Sequence, residues 1–331
     1  MSEAKKIIQD PLSEVTDNPF KFLGLFHHSP SQNMEDGPWF FRYINCDSSD
    51  RSKFDTNANM KAGIATGDAI QDHLCDYVWR YNRLTKAFVK IANEKLTKEQ
   101  SLEKAIEKFK NHTPVNETDQ LKKDHFLETI PATVAQGFKA IESIDIDRNK
   151  EIVGEEEITS QDNNLFMPTI GRADLMFHEK VGKISRLCVL ELKSSWQTPG
   201  KIKKDGNRSW KKSSLPSAPA DKFAHILQLS FYCFVKKFAN PYLLYVTEDD
   251  HRLFTAADHV DLQSPRIEFF YNQLIKVFKR HERLANRYLH LQDKQKIIQE
   301  LALDIDPRWD HRFYWNIGDE YLSKAKQIWN Q

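Results

Sequence analysis

The chain has 331 residues, 40% of them hydrophobic, which suits a globular protein with one large or two small domains. With 48 Lys and Arg against 47 Asp and Glu the formal charge is +1, so any nucleic-acid surface has to be a local patch. The first residues carry mixed charge and no apolar leader, no run is apolar enough for a bilayer, and Cys46, Cys75, Cys188 and Cys233 are widely scattered. Buried thiols in a reducing cytoplasm, with no membrane partner, are expected.

Residues 1–59 are broken by Asn18-Pro19, Ser29-Pro30 and Gly37-Pro38, and the aromatic run at 39–43 is expected to pack on the body as a strand or short element. His27 and His28, being adjacent, point apart and make no metal pair. From 67 to 93, Ile70, Leu74, Tyr77, Val78, Tyr81, Leu84, Phe88 and Ile91 recur at helical spacing and predict one long amphipathic helix. On it Gln71 and His73 flank the apolar stripe on opposite sides, so at most one of them faces a site. Further helices are predicted at 98–111 and 117–144, the second strained at Pro131 and Gly137, as a helical insertion over 94–150. A strand at 151–159 contains Glu155, Glu156 and Glu157.

Residues 171–193 read as a β-hairpin, with apolar runs at 175–177 and 187–192 and Gly182 as the turn. Asp174 opens one strand. Glu191 and Lys193 lie two apart in the other and share a face. Two carboxylates brought to one point repel unless a cation sits between them, and hard oxygen ligands suit Mg²⁺ or Mn²⁺. A Lys beside such an ion can hold or activate water and stabilise charge on a phosphate.

The segment 194–219 reads as a long loop, with Lys201, Lys203, Lys204, Arg208, Lys211 and Lys212 against the single acid Asp205, flanked by Trp196 and Trp210. Basic groups interleaved with aromatics suit a single nucleic-acid strand. Asp221 is the expected N-cap of a helix at 222–237 that buries Phe223, Ile226, Leu227, Phe234 and Val235, with Gln228 and Tyr232 on one face. Pro241 is expected to end it, a central strand follows at 242–247, and one or two helices at 265–303 precede an aromatic tail that docks on the domain.

Gly171-Arg172-Ala173-Asp174, then Glu191-Leu192-Lys193, then Gln228 and Tyr232 on a helix, resemble the RecB-type branch of the PD-(D/E)XK nuclease superfamily, which includes phage exonucleases and the mitochondrial genome maintenance exonuclease. The likeness spans roughly residues 60–250. It implies an α/β fold, a mixed central sheet flanked by helices, with additional helical layers. A nuclease domain at 60–260 would lie between an N-terminal segment, 1–59, and C-terminal helices with the tail, 261–331.

The implied activity is metal-dependent DNA exonuclease action. Asp174, Glu191 and the Leu192 main-chain oxygen would hold Mg²⁺ or Mn²⁺, Lys193 would activate water, Gln228 would orient it and Tyr232 would reach a phosphate. The family's metal-facing His falls four residues after a Gly; here Gly67 plus four is Gln71, so this register favours Gln71 over His73. Glu157 is matched to an acid on the preceding strand. The clustered cysteines of iron–sulfur relatives are absent, so no cluster is expected. The partner would be DNA, single-stranded or frayed, in the host cytoplasm if the chain is phage-encoded. An endonuclease, a recombination nuclease subunit served by a separate helicase, and an inactive nucleic-acid-binding module are the alternatives.

Overall fold

The computed structural model describes residues 18–32, 35–47, 57–82, 84–85, 87–202, 208–310, 315 and 319–330. The aromatic run at 39–43 is helical rather than extended: α1 (Asp36–Phe40) continues into a π turn over Phe41–Asn45, burying Trp39, Phe40, Phe41 and Ile44. Asn57 caps α2 (Ala58–Leu74), accepting the Met60 amide at 3.0 Å. Ala58, Ala62, Ala65 and Ala69 give α2 a buried face of small residues.

α2 stops at Leu74, which corrects the expectation of one helix through 93. β1 (Tyr77–Asn82) and β2 (Ala87–Ala92) form an antiparallel hairpin instead. The segment is rich in aromatic and β-branched residues, which lose rotamer freedom in a helix and pack well on a pleated surface. β1 also finds a parallel partner at Val153 and Gly154. Of the positions assigned to a helical core face, Tyr81, Leu84 and Ile91 emerge 53%, 95% and 45% exposed.

A Thr97–Gln100 capping box starts α3 (Lys98–Lys110), and Asn116 caps α4 (Glu117–Glu142). A Cβ at Gly137 would lie 2.6 Å from Ile70 Cδ1, so glycine there lets α4 approach α2 closely. β3 (Val153–Ser160) precedes the expected hairpin of β4 (Thr169–Val181) and β5 (Ile184–Ser194), turned at Gly182 with φ 63°. The expected loop at 194–219 holds a separate two-stranded hairpin, β6 (Thr198–Ile202) with β7 (Arg208–Lys211).

A 3₁₀ turn over Pro219–Lys222 leads into α5 (Phe223–Val235). Asp221 is not the N-cap of α5: its carboxylate accepts the Ser217 and Ala218 amides at 2.7 and 3.0 Å, one turn earlier. Phe223, at the helix start, is half exposed. Pro241 does not end α5 but lies within β8 (Asn240–Val246); Lys237 and Phe238, with φ of 56° and 60°, reverse the chain before it. β9 (His251–Thr255), α6 (Ser264–Arg287), α7 (Lys294–Asp304) and α8 (Asp319–Trp329) complete the described elements.

The main sheet has the order β2-β1-β3-β4-β5-β8-β9, with β1/β3 and β5/β8 parallel and the other pairs antiparallel. Helices flank this mixed α/β sheet. Phe109, Ile130 and Ile70 from the α2–α4 layer pack with Leu175, Leu190 and Leu244, while Ile226, Phe231 and Leu274 from α5 and α6 pack with Val189 and Leu243. The N-terminal aromatics Phe20, Trp39 and Phe40 join Ala285, Ile297 and Leu301 in a further core, and Trp315 and Tyr321 of the tail pack with Phe41. Among the described residues no helix is long and apolar enough to cross a membrane.

Candidate active site

β4 and β5 pair from their turn back to Leu175 opposite Leu190, and there the ladder ends. Beyond it the Asp174 side chain takes the place of a strand partner, Oδ2 accepting the Leu192 amide at 2.7 Å. Lys193 Nζ donates to Glu191 Oε1 at 2.5 Å, as their shared face requires. From α5, Gln228 Oε1 accepts from the same ammonium at 3.2 Å, and Gln228 Nε2 donates to the Tyr232 hydroxyl at 3.2 Å. Gly171 serves this packing. A Cβ there would lie 2.7 Å from the Tyr232 ring and 2.8 Å from Pro30.

Glu155, not Glu157, is the member of the acidic triplet that reaches the site. Its φ is 53°, a left-handed conformation that costs a residue with a Cβ roughly 1–2 kcal/mol. The β3–β4 ladder skips it: Gly154 pairs with Leu175 and Glu156 with Ala173. Across this break Ala173 and Leu175, two residues apart, belong to cores on opposite sides of the sheet. Gln71 Nε2 donates to Glu155 Oε1 at 3.2 Å and to the Asp174 carbonyl at 3.1 Å, while Glu157 sits opposite Arg172 on the ladder. A short acidic run signals that an acid is available; a left-handed backbone at one member leaves no trace in the pattern.

His73 faces elsewhere. Its Nδ1 donates to the Leu96 carbonyl at 2.9 Å and its ring meets Phe138 edge-on. His225 is a neighbour that pattern reading passed over, one turn before Gln228. Its Nδ1 shares a hydrogen bond with the Tyr245 hydroxyl at 2.8 Å, and burial with the nearby Lys193 charge pulls the imidazole down to about 3, so it is neutral.

Charge at the site is unbalanced. Burial, and then the Glu191 carboxylate, hold Asp174 well above the usual carboxylate range; burial also raises Glu191, against the pull of Lys193. Burial works to lower Lys193, but Glu191 and Asp174 outweigh it and keep the ammonium charged. Burial and Glu191 push the Tyr232 phenol up, so it remains a proton donor.

These residues fit a hard divalent cation. Glu191 Oε2 and Gln71 Oε1 are buried oxygens with no hydrogen-bond partner, and desolvated lone pairs of this kind are costly unless a donor or cation meets them. Among the described residues no group of three or more His, Cys, Asp and Glu is arranged to hold a metal, so a cation here would rest on two carboxylates supplemented by neutral oxygens. Gln71→Ala is expected to weaken Mg²⁺ affinity about 10–100-fold, the scale of supporting groups at metal sites, and His73→Ala to leave it unchanged. Calorimetric titration of Mg²⁺ checks this, and the reverse pattern would overturn the assignment of Gln71.

The expected strand-binding residues divide. Trp196, expected at the surface, is buried: its ring packs on Phe126 and its Nε1 donates to Ser194 Oγ, since the chain leaving β5 still runs beneath α4. Trp210 stacks on His125, with ring centroids 3.7 Å apart. Arg208 donates to the Gly200 carbonyl and Lys212 pairs with Asp249 at 2.5 Å, while Lys201 and Lys211 are exposed. Lys203 and Lys204 lie outside the described residues.

No known family profile and no curated protein matches this chain. Among solved structures, the crystal structure of SSO0001 aligns with 54% of this chain and 85% of its own, at 17% identity and a TM-score of 0.26. A likeness that slight carries no argument about function.

Proposed function

We propose that the chain is a divalent-metal-dependent deoxyribonuclease on a PD-(D/E)XK-type core, acting from free ends of single-stranded or frayed DNA. The observation that carries this reading is the meeting of Asp174, Glu191, Lys193 and Gln228 where β4 and β5 part. Asp174, Glu191 and the Leu192 carbonyl would hold Mg²⁺ or Mn²⁺, with the Gln71 amide beside them. When bound, the ion supplies Lewis-acid stabilisation of phosphoryl charge and lowers the pKa of water.

The chain's own groups do the positioning. A charged Lys193 cannot take a proton from water. It orients the attacking water and stabilises negative charge on the phosphate while the water oxygen bonds to phosphorus and releases its proton to solvent, and the P–O ester bond breaks with the leaving oxygen taking up a proton from solvent. Gln228 fixes that ammonium through Oε1 and, through Nε2, fills one lone pair of the Tyr232 hydroxyl, which keeps its own proton to donate to a phosphate oxygen.

The test is digestion of linear and covalently closed single-stranded DNA with Mg²⁺, Mn²⁺ or chelator. Linear DNA is expected to be degraded only with metal, and circles to be spared. Equal cleavage of circles would show an endonuclease, and no cleavage with either metal would remove the nuclease reading.

A further inference from the structure

We infer that the β1–β2 hairpin is a base-stacking platform for single-stranded DNA, holding the strand beside the acid cluster; the inference rests on the nuclease reading for its substrate class. In a chain of nearly balanced charge, residues 77–92 contain four basic residues (Arg80, Arg83, Lys86 and Lys90), four aromatics and no acid. As a helix this composition would be a solvated face and a core stripe. As a hairpin it sets Tyr81 directly opposite Phe88, with ring centroids 5.3 Å apart and planes tilted by 57°. By strand alternation Trp79 lies on the same face, opposite Lys90. Tyr81 is 53% exposed, and β2 is the edge strand of the sheet among the described residues.

The link to the site is Arg172. Its guanidinium lies 4.3 Å from the Phe88 ring centroid, and its Nη1 is 3.8 Å from Glu155 Oε2, so one side chain spans from the aromatic pair to the strained acid. A nucleobase has a π face whatever its sequence, and a nearby guanidinium suits the phosphate that follows it. Lys90, on the same face as Tyr81, stands over the Tyr77 ring and meets Glu151 in an exposed pair, which holds little and leaves the cation available to phosphate. The expected strand surface on β6–β7 cannot supply this stacking through Trp196, which is buried. The hairpin offers accessible rings in its place.

The experiment measures anisotropy of fluorescent oligothymidylate of ~20 nucleotides, with chelator present to prevent turnover, against an abasic deoxyribose-phosphate strand of equal length. Tyr81→Ala is expected to weaken oligothymidylate binding about 10-fold while leaving abasic binding within about twofold, and Tyr81→Phe to bind as wild type. Phe88→Ala should follow Tyr81→Ala; if circular dichroism shows it misfolded, exposed Tyr81 alone decides. Unchanged oligothymidylate binding by Tyr81→Ala, equal loss on both strands, or no single-strand binding by the wild type overturns the platform. Failure of the nuclease reading is seen separately, as wild type that binds DNA yet cleaves none with Mg²⁺ or Mn²⁺.

Discussion

Asp174→Asn is expected to abolish cleavage and to stabilise the metal-free fold. The amide oxygen can still accept the Leu192 amide, so local geometry survives, but the charge that would help hold a divalent ion is gone. A loss of several kcal/mol of Lewis-acid stabilisation, at about 1.4 kcal/mol per tenfold, corresponds to about 10³-fold or more in rate. Stability moves the other way because the wild-type carboxyl is held well above its ordinary range by burial and by Glu191.

A carboxyl whose folded pKa is raised opposes folding once ionised. That penalty is absent below the unfolded value near pH ~4, grows as pH rises toward the folded value, and is complete above it. The metal-free wild type should therefore lose stability over that interval. Asp174→Asn should lose less, the remainder coming from Glu191, which is raised in the same direction. Urea unfolding from pH 4 to 8 with chelator, alongside a cleavage assay with Mg²⁺, checks both signs. Cleavage within tenfold of wild type, or a variant less stable than wild type at pH 8, would sink the assignment.

Removing a different buried carboxylate should destabilise the protein without removing a group from the candidate site. Glu282 on α6 accepts the Phe166 and Met167 amides at 3.0 and 2.9 Å and pairs with His28 Nε2 at 3.0 Å. His28 also bonds through its backbone to Pro168 and Ile170, so this one side chain ties the N-terminal segment and α6 to the start of β4, the strand that carries Asp174. Glu282→Ala leaves the buried His28 ring and Met167 amide, and the part-buried Phe166 amide, without this acceptor, for an expected cost of about 3–5 kcal/mol. Glu282→Gln, which keeps one acceptor oxygen, should cost less. Equilibrium denaturation measures both, and a loss under about 1 kcal/mol for Glu282→Ala would show that the tie is dispensable.

Where local chemistry decides, the sequence was legible. The helices predicted at 98–111 and 117–144 form as α3 and α4, Gly182 turns the β4–β5 hairpin, and a period of two puts Glu191 and Lys193 on one face. Only the family resemblance, through Gly67, pointed to Gln71, which lies near Asp174 while His73 turns away. The helices, the turn and the strand parity depend on residues a few positions apart, so pattern and propensity carry the information.

What failed depended on distant partners. Residues 77–92 satisfy a helical template, and only the presence of β3 beside them makes a strand the better use of their aromatic and β-branched side chains. Trp196 lies in a polar stretch, yet α4, dozens of residues away in sequence, closes over it. Glu155 could not be told from Glu157 because the left-handed backbone that separates their directions is imposed where β3 meets Asp174. Pattern, turn residues and strand parity thus specified most of the helices, the β4–β5 hairpin and the Glu191–Lys193 pair on β5. Which acid joins that pair, which tryptophan is accessible and which hairpin borders the site were decided by long-range pairing, whose energy comes from surfaces that meet only in the folded chain.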